Sequence, residues 1–333
     1  MVNNRRIGNT SVQVSEVGLG TVSFGGLYTP TTQDMATEAV RTCLDNGVNY
    51  FDTAPLYGHG RSEERLGVAL KGVPRDSFVV SSKVGRVLDP ISDEENARRK
   101  DVLAVNPAPF QARDDYSADG IKRSFESSLE RLGLDRIDIV YIHYGDITDA
   151  HNRQILDESY PVLEDYRSQG LLTAIGMGVD EVPPLLFLME RADFDVFMLA
   201  FRYNPLDQQA LPELFPRCAE KNVSTVIAAP YTGGILAMDD LSNGAKYMYY
   251  DAKPDVIARV QRMKDVCAHH NVPLRAVALQ FGLNHPVVAS TVPGGRNGKE
   301  VKDNVRNVEM DIPAALWDEL VSEGLLPKDT PRG

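Results

Sequence analysis

The feature that most constrains the fold of this chain is a regular alternation of strand-like and helix-like segments. Eight short runs rich in β-branched and apolar residues are each followed by a segment with helical periodicity. Strands that alternate with helices pair in parallel, and eight such units predict an α/β fold, the (β/α)8 or TIM barrel. The predicted strands are Val17–Thr21, Asn49–Thr53, Phe78–Val84, Ile137–Tyr144, Thr173–Val179, Val196–Arg202, Ser224–Pro230 and Val287–Val292.

The main alternative is an open, doubly wound sheet that binds a dinucleotide after its first strand. That fold needs the pattern G-x-G-x-x-G between the strand and a following helix. The first strand here ends in GLGTVS at residues 18–23, which has no third glycine and no helix start. The alternation therefore favours the closed barrel.

Hydroxyl residues and glycines predict where several helices begin and end. A hydroxyl before the first turn can accept a hydrogen bond from that turn, and a glycine suits the left-handed residue that ends a helix. The predicted caps are Thr32, Ser62 and Ser117, and the predicted stops are Gly47 and Gly133. The helix after Ser62 would open with two glutamates, whose charge suits the positive end of the helix dipole.

Two segments go beyond a minimal barrel. Residues Gly85–Tyr116 are predicted to form a long loop, rich in proline and charge, directly after the third strand. Loops of this length in compact domains are usually functional lids or lack fixed structure. A C-terminal tail begins at Ile312 and contains a predicted helix over Ala314–Gly324. Because no repeat or linker interrupts the pattern, residues 1–333 are expected to form a single barrel domain.

Charge and cysteine content argue against several function classes. The formal net charge of -12 and the absence of a long basic cluster argue against a nucleic-acid-binding surface. No apolar run is long enough to span a membrane. The cysteines Cys43, Cys218 and Cys267 are odd in number and far apart, so we expect small core residues in a cytoplasmic protein. A monomer or weak homodimer is the default expectation.

Four polar residues fall at the ends of consecutive predicted strands or in the loops that follow them. Asp52, Lys83 and His143 lie near the ends of strands two, three and four, and Tyr57 follows strand two. The C-terminal ends of barrel strands face the active site, and neighbouring strands are about 4.8 Å apart. These four side chains can therefore converge on one point.

Together these side chains suit proton transfer coupled to a redox step. A phenol has a pKa of about 10 in water, and a nearby ammonium lowers it. Lys83 would supply that charge and Asp52 would hold it in place, while His143 would bond the substrate oxygen. Tyr57 then acts as a general acid or base. Because protein side chains donate no hydride, the reaction would need a cofactor.

Each of the four residues alone has a simpler structural explanation, such as a turn cap, a core histidine or a packed loop tyrosine. Only a lysine inside a barrel strand is hard to explain this way, because burying it unpaired is costly. A barrel metal hydrolase would need clustered ligands such as H-x-H. The six histidines show no such pattern, so no metal site is predicted; they are His59, His143, His151, His269, His270 and His285.

The chain also resembles the aldo-keto reductase superfamily over nearly its whole length. The most specific similarity is NYFDTAPLYG at residues 49–58 followed by SE at 62–63, and it is supported by VSSKV at 80–84 and DIVYIH at 138–143. The resemblance implies that Tyr57 is the proton donor and acceptor, supported by Lys83 and Asp52. It implies that His143 orients the substrate and that the cofactor is NADP or NAD.

The resemblance further implies a cofactor site built from two segments. VPGGR at residues 292–296 is similar to the segment that holds the adenosine end, and PYTGGIL at 230–236 to the loop over the pyrophosphate, where Tyr231 would stack on the nicotinamide. Backbone N–H groups and an arginine suit phosphate. The implied cofactor residues are Gly20, Thr21, Asp52, Asp180, Tyr231, Gly233, Ile235, Leu236, Gly294, Arg296, Glu300 and Asn304.

Three positions depart from the family pattern. The usual Ser-Asn after the fifth strand reads GMGVD at residues 176–180, so that Asp180 would take the asparagine role. Ala200 stands where a glutamine is common, and Glu300 replaces a frequent glutamine. A carboxylate at position 300 disfavours a 2′-phosphate whereas Arg296 favours one, so the choice between NAD and NADP stays open.

Within the superfamily, APLYGHG at residues 54–60 and the insert after Lys83 resemble the aldose 1-dehydrogenases. This implies oxidation of the C1 hydroxyl of an aldose of the L-fucose, L-galactose or D-arabinose type to a lactone, with Tyr57 as base. The alternatives are an NADPH-dependent aldehyde or ketone reductase, a pyridoxal dehydrogenase, and a non-catalytic redox-sensing subunit. The expected substrate residues are Phe24, Tyr57 and His143, with further pocket walls from Tyr28, the insert and the tail.

Overall fold

The computed structural model describes residues 2–99, 104–143, 148–242 and 244–331, and an eight-stranded parallel barrel lies at its centre. In chain order the strands are β1 (Asn4–Arg6), β2 (Gln13–Ser15), β3 (Leu19–Gly20), β4 (Tyr50–Asp52), β5 (Val79–Val84), β6 (Arg86–Pro90), β7 (Phe110–Asp114), β8 (Ile139–His143), β9 (Ala174–Val179), β10 (Val196–Ala200), β11 (Ser224–Ala228), β12 (Lys246–Tyr247), β13 (Tyr250–Asp251) and β14 (Val288–Val292). The barrel order is β3, β4, β5, β8, β9, β10, β11, β14, and every pair is parallel. The eight predicted strands are therefore confirmed; of their residues, Tyr144 lies outside the described ones.

Main-chain contacts close the barrel and a hairpin covers one of its ends. Bridges from Val17 to Thr291 and from Gly20 to Gly294 join β3 to β14. The antiparallel hairpin of β1 and β2 lies at the N-terminal end of the barrel, where Val14 packs among interior side chains. The longer loops follow the C-terminal ends of the strands, at the opposite end of the barrel.

Helices follow the barrel strands on the outside, and the predicted caps at Thr32 and Ser117 are confirmed. Thr32 and Ser117 accept hydrogen bonds from the N–H groups of Met35 and Gly120. The helices are α1 (Gln33–Asp45), α2 (Arg61–Leu70), α3 (Asp93–Ala97), α4 (Ala118–Leu132), α5 (Asp149–Gln154), α6 (Tyr160–Ser168), α7 (Pro183–Met189), α8 (Leu214–Lys221), α9 (Pro254–His269), α10 (Leu274–Leu283), α11 (Gly298–Val308) and α12 (Ala314–Ser322).

The predicted cap at Ser62 is wrong. Helix α2 already begins at Arg61, and Ser62 is fully buried. Its Oγ donates to the Thr21 carbonyl at 2.6 Å and accepts from Thr53 Oγ1 at 3.0 Å. Because these partners stand beyond the ends of β3 and β4, Ser62 ties the start of α2 to the open end of the barrel.

The long segment after β5 is more regular than we predicted. Strands β6 and β7 pair as an antiparallel hairpin over five residue pairs, with α3 between them. Residues 100–103 of this insert lie outside the described residues. The predicted tail helix is confirmed as α12, and its Trp317 and Leu320 are buried in the core.

The three cysteines lie on α1, α8 and α9 and are buried, as expected for small core residues. Within the described ranges, no helix is both long enough and apolar enough to cross a bilayer.

Candidate active site

Asp52, Lys83, Tyr57 and His143 meet at the C-terminal end of the barrel. Lys83 Nζ donates to the two carboxylate oxygens of Asp52 at 2.9 and 2.8 Å and to the Thr53 carbonyl at 2.9 Å. Asp52 and Lys83 are 3% and 2% exposed, so this is a buried ion pair. Lys83 Nζ lies 4.8 Å from the centre of the Tyr57 ring, and the Tyr57 and His143 rings lie edge to face at 6.4 Å. The structure brings all four predicted residues together, and we call Asp52, Tyr57, Lys83 and His143 the tetrad.

Two glycines in close contact position the loop that carries Tyr57. A Cβ on Gly25 would lie 2.5 Å from the Gly58 nitrogen, and a Cβ on Gly58 would lie 2.4 Å from the Gly25 carbonyl oxygen. Gly58 also has φ of +62°, which disfavours larger residues. A side chain at either position would therefore displace Tyr57 from Lys83.

Burial and charge act in opposite directions on Tyr57. Burial raises the pKa of Tyr57 while the Lys83 ammonium lowers it, and the net direction is upward. The predicted sign of the Lys83 effect is therefore right, but desolvation outweighs it in the protein alone. For Lys83, burial lowers the pKa, whereas Asp52 and Tyr57 raise it, and the net direction is again upward. Lys83 is accordingly a cation beside the phenol at neutral pH.

His143 is a neutral side chain in this site. Burial lowers its pKa well below the ordinary value, and the charges of Lys83 and Arg86 act in the same direction. A neutral imidazole has one donor and one acceptor nitrogen. Its buried Nδ1 has no hydrogen-bond partner among the described residues, and Tyr116 Oη donates to its carbonyl at 3.1 Å. His143 can therefore donate a hydrogen bond to a substrate oxygen without carrying a charge.

The turn over Thr232–Ala237, which follows β11, fits a phosphate group. Gly233 and Gly234 have φ of 80° and 103° and present backbone without side chains. The Thr232 hydroxyl is buried and has no hydrogen-bond partner within the described part of the chain. A buried hydroxyl without a partner is costly, and an anionic oxygen would satisfy it.

The segment after β14 supplies a second set of groups suited to a dinucleotide. Gly294 is exposed, and a Cβ there would meet nothing within 4 Å. Arg296 Nε donates to Glu300 Oε1 at 2.9 Å, and Tyr231 Oη donates to Asn304 Oδ1 at 2.7 Å. The two segments lie at the same end of the barrel as the tetrad, so the residues present fit NAD or NADP.

Several predicted residues occupy other surroundings than we expected. Thr21, Ile235 and Leu236 are buried, main chain included, rather than open to a cofactor. Thr21 Oγ1 donates to the Asp52 carbonyl at 2.8 Å. Gly20 pairs with Asp52 in the sheet, and Asp180 is exposed directly after β9. The prediction that Phe24 is a wall of the substrate pocket is wrong, because Phe24 is 0% exposed and lies within the hydrophobic core.

Sequence reasoning missed an exposed aromatic side chain, that of Tyr249. Tyr249 lies between β12 and β13, is 49% exposed, and contacts the Phe201 ring edge to face at 5.3 Å. Partial burial raises the pKa of Tyr249, and the charges of Tyr57 and Asp180 add to the rise. The hairpin is held by Gly233, where a Cβ would lie 2.2 Å from the Met248 carbonyl oxygen. In the sequence, the aromatic-rich run YMYY at residues 247–250 is the feature that could have indicated Tyr249.

Arg86 is a second residue that the sequence patterns did not indicate. It begins β6, three residues after Lys83, and Nη1 pairs with Asp114 at 3.2 Å. Its charge acts on both Tyr57 and His143. The insert thus contributes a cation whose charge acts on the candidate site.

Comparison with known proteins agrees with this geometry. The sequence model of the aldo/keto reductase family matches residues 16–322. The chain is 36% identical to a D-threo-aldose 1-dehydrogenase from a Pseudomonas species over 94% of this chain and 95% of that protein. It is also 36% identical to a pyridoxal 4-dehydrogenase from Microbacterium luteolum over 97% of each. The holo form of an aldo-keto reductase from Bacillus halodurans matches the fold with a TM-score of 0.78 at 26% identity, covering 100% of both chains. This chain therefore belongs to the aldo/keto reductase family of oxidoreductases.

Proposed function

We propose that this protein is an NAD(P)-dependent dehydrogenase that oxidises the C1 hydroxyl of an aldose of the L-fucose, L-galactose or D-arabinose type to a lactone. The observation that carries the proposal is the buried Lys83–Asp52 pair beside Tyr57, facing a neutral His143. The 36% identity to an aldose 1-dehydrogenase supports the substrate class.

The chain's own residues would manage the proton and the substrate oxygen. When bound, the nicotinamide supplies the acceptor for the hydride that leaves C1. Tyr57 Oη takes the proton of the C1 hydroxyl, so that the C1–O bond becomes the carbonyl of the lactone. Lys83 stabilises the phenolate form of Tyr57 before this transfer, and His143 donates a hydrogen bond to the same oxygen. One hydride and one proton leave the substrate, which balances the two-electron oxidation.

Pyridoxal is a second candidate substrate, favoured by the 36% identity to a pyridoxal 4-dehydrogenase. In water, pyridoxal closes to a cyclic hemiacetal through its hydroxymethyl group. Its oxidation breaks the same kind of C–H and O–H bonds as that of a cyclic sugar. Either reaction would use Tyr57, Lys83 and His143 in the same roles.

For the cofactor, NAD is favoured over NADP. Arg296 directs Nε and its backbone N–H at the Glu300 carboxylate at 2.9 Å each, and Nη1 at Thr29 Oγ1 at 2.9 Å. The guanidinium is therefore already paired, and the Glu300 carboxylate would repel a 2′-phosphate. The same carboxylate can accept hydrogen bonds from the two ribose hydroxyls of NAD.

The decisive experiment is a substrate panel with purified protein and each cofactor. The panel contains L-fucose, L-galactose, D-arabinose and pyridoxal with NAD⁺ or NADP⁺, and simple aldehydes and ketones with NADH or NADPH. Oxidation of at least one aldose supports the proposal, and activity with carbonyl compounds alone would make the protein a reductase. Tyr57→Phe should abolish turnover but keep cofactor binding; full activity in that variant would contradict the role of Tyr57.

A further inference from the structure

A chain of buried hydroxyl groups runs from Asp52 into the barrel. Ser81 Oγ donates to Asp52 Oδ1 at 2.7 Å, Tyr50 Oη lies 3.0 Å from Ser81 Oγ, and Tyr141 Oη lies 3.1 Å from Tyr50 Oη. Ser81, Tyr50 and Tyr141 are each 0% exposed. We call these three residues the hydroxyl chain.

The position of the hydroxyl chain follows from the two-residue repeat of a strand. Tyr50, Ser81 and Tyr141 each precede a member of the tetrad by two residues, on β4, β5 and β8 respectively. Residues two apart point to the same face, which here is the barrel interior. The hydroxyl chain is therefore the layer of side chains directly beneath the catalytic layer.

The direction of every hydrogen bond in the chain is determined. The Asp52 carboxylate, paired with Lys83, can only accept hydrogen bonds. The single hydroxyl hydrogen of Ser81 is therefore donated to Asp52. The Ser81 oxygen must then accept from Tyr50, and the Tyr50 oxygen from Tyr141. Burial raises the pKa of both phenols, which keeps them protonated as donors. All three O–H dipoles consequently point toward Asp52.

The far end of the chain does not reach solvent. Tyr141 lies in an apolar cluster with Val14 of the covering hairpin and Ile139 of its own strand. A route that ends in apolar side chains cannot deliver protons to water. The chain must act through its electrostatic field, in which aligned hydrogen bonds strengthen one another.

We propose that the hydroxyl chain is a positioning element that offsets part of the Asp52 charge and so sets how readily Tyr57 releases its proton. This inference rests on the proposed role of Tyr57 as the proton carrier. Asp52 disfavours the Tyr57 phenolate. The Ser81 hydroxyl that donates to its carboxylate weakens that effect, and the two aligned O–H dipoles of Tyr50 and Tyr141 behind it add to the weakening. Without them, the negative potential at Tyr57 would be greater and the phenolate would form only at higher pH.

The test is the pH profile of oxidation in three variants. Tyr141→Phe removes the last donor and leaves no proton without an acceptor, so it should fold as the wild type does. Tyr50→Phe/Tyr141→Phe removes both phenols together, which avoids the unpaired Tyr141 proton that Tyr50→Phe alone would leave. Tyr203→Phe is the control, because Tyr203 Oη is buried and has no hydrogen-bond partner among the described residues.

We expect the profile of the double variant to move to higher pH, with a loss of about three- to tenfold in kcat at neutral pH, the size expected for one or two hydrogen bonds. Tyr141→Phe should shift less and Tyr203→Phe not at all. A profile of the folded double variant that coincides with the wild type would overturn the proposal.

A second readout separates this proposal from the proposed function. With NAD⁺ bound, NMR of ring-labelled tyrosine follows the titration of Tyr57, which is assigned from Tyr57→Phe, and needs no substrate. One outcome is that the wild type oxidises no sugar. In that case, a Tyr57 signal that begins to titrate at higher pH in the double variant than in the wild type still supports the proposed role of the hydroxyl chain. An unchanged onset of titration would refute it.

Discussion

Asp52→Asn should destabilise the protein strongly and reverse the pH dependence that Lys83 contributes to stability. Two of the three Lys83 donors go to Asp52 at 2.8 and 2.9 Å, and both side chains are almost fully buried. Removing one partner of a buried ion pair leaves an uncompensated charge and typically costs about 3–5 kcal/mol. We expect a loss in this range in the free energy of unfolding at neutral pH.

The sign of the pH dependence follows from the direction of the pKa shifts. In the wild type the pKa of Lys83 is raised, so the pair's contribution is complete below the unfolded-state pKa and is lost as pH rises through the folded-state pKa. In Asp52→Asn the main attraction is gone and burial lowers the pKa of Lys83. The unfolded state then binds more protons, so the stability of the variant should rise with pH. The difference from the wild type should shrink toward alkaline pH.

Urea unfolding at a series of pH values measures both effects. Asp52→Asn/Lys83→Met also removes the buried, unpaired ammonium of Lys83. This double variant should recover part of the lost stability, and its stability should not rise with pH as that of Asp52→Asn does. Glu94→Gln is the control, because Glu94 pairs with Arg98 on the surface. The side chains of Arg98 and Glu94 are 74% and 73% exposed, and such surface pairs contribute less than about 1 kcal/mol to stability. Stability of Asp52→Asn within about 1 kcal/mol of the wild type at neutral pH would show that the pair is not electrostatically coupled as the structure indicates.

Three further outcomes are expected. Because the pKa of Tyr57 is raised in the free protein, oxidation should accelerate with pH, by up to about tenfold per unit, while carbonyl reduction slows; parallel pH profiles in the two directions check this. Glu300→Gln should raise kcat/KM with NADP relative to NAD by about tenfold, since a repulsive charge is removed; an unchanged ratio would contradict the cofactor proposal. Tyr249→Ala should raise the substrate KM by about two- to tenfold through loss of an aromatic contact, whereas Tyr250→Ala, at a position 76% exposed, should not.

The features that the sequence predicted well depend on local periodicity. Alternating strands and helices follow from which residues can be buried at a two-residue or a 3.6-residue repeat, and all eight barrel strands were placed on that basis. Parallel strands of a barrel end at one rim, so the strand-end positions of Asp52, Lys83 and His143 were enough to predict their convergence. Thr32 and Ser117 cap their helices through contacts three residues away, which the sequence also contains.

Other features depended on contacts between distant parts of the chain. Ser62 bonds to Thr21 rather than to its own helix, and Phe24 faces the core rather than the cleft. The hairpin of β6 and β7 pairs residues far apart in the chain, and no repeat within either segment fixes that register.

The convergence of Asp52, Tyr57, Lys83 and His143 was thus predictable from the sequence, because parallel barrel strands end at one rim and their ends are neighbours. The environment that governs their chemistry was decided by the tertiary structure alone. Whether Tyr57 titrates high or low depends on the balance between burial and Lys83, and that balance exists only once the site is assembled. The hydroxyl chain beneath Asp52 likewise needs three strands in register, since its bonds join residues 31 and 91 positions apart.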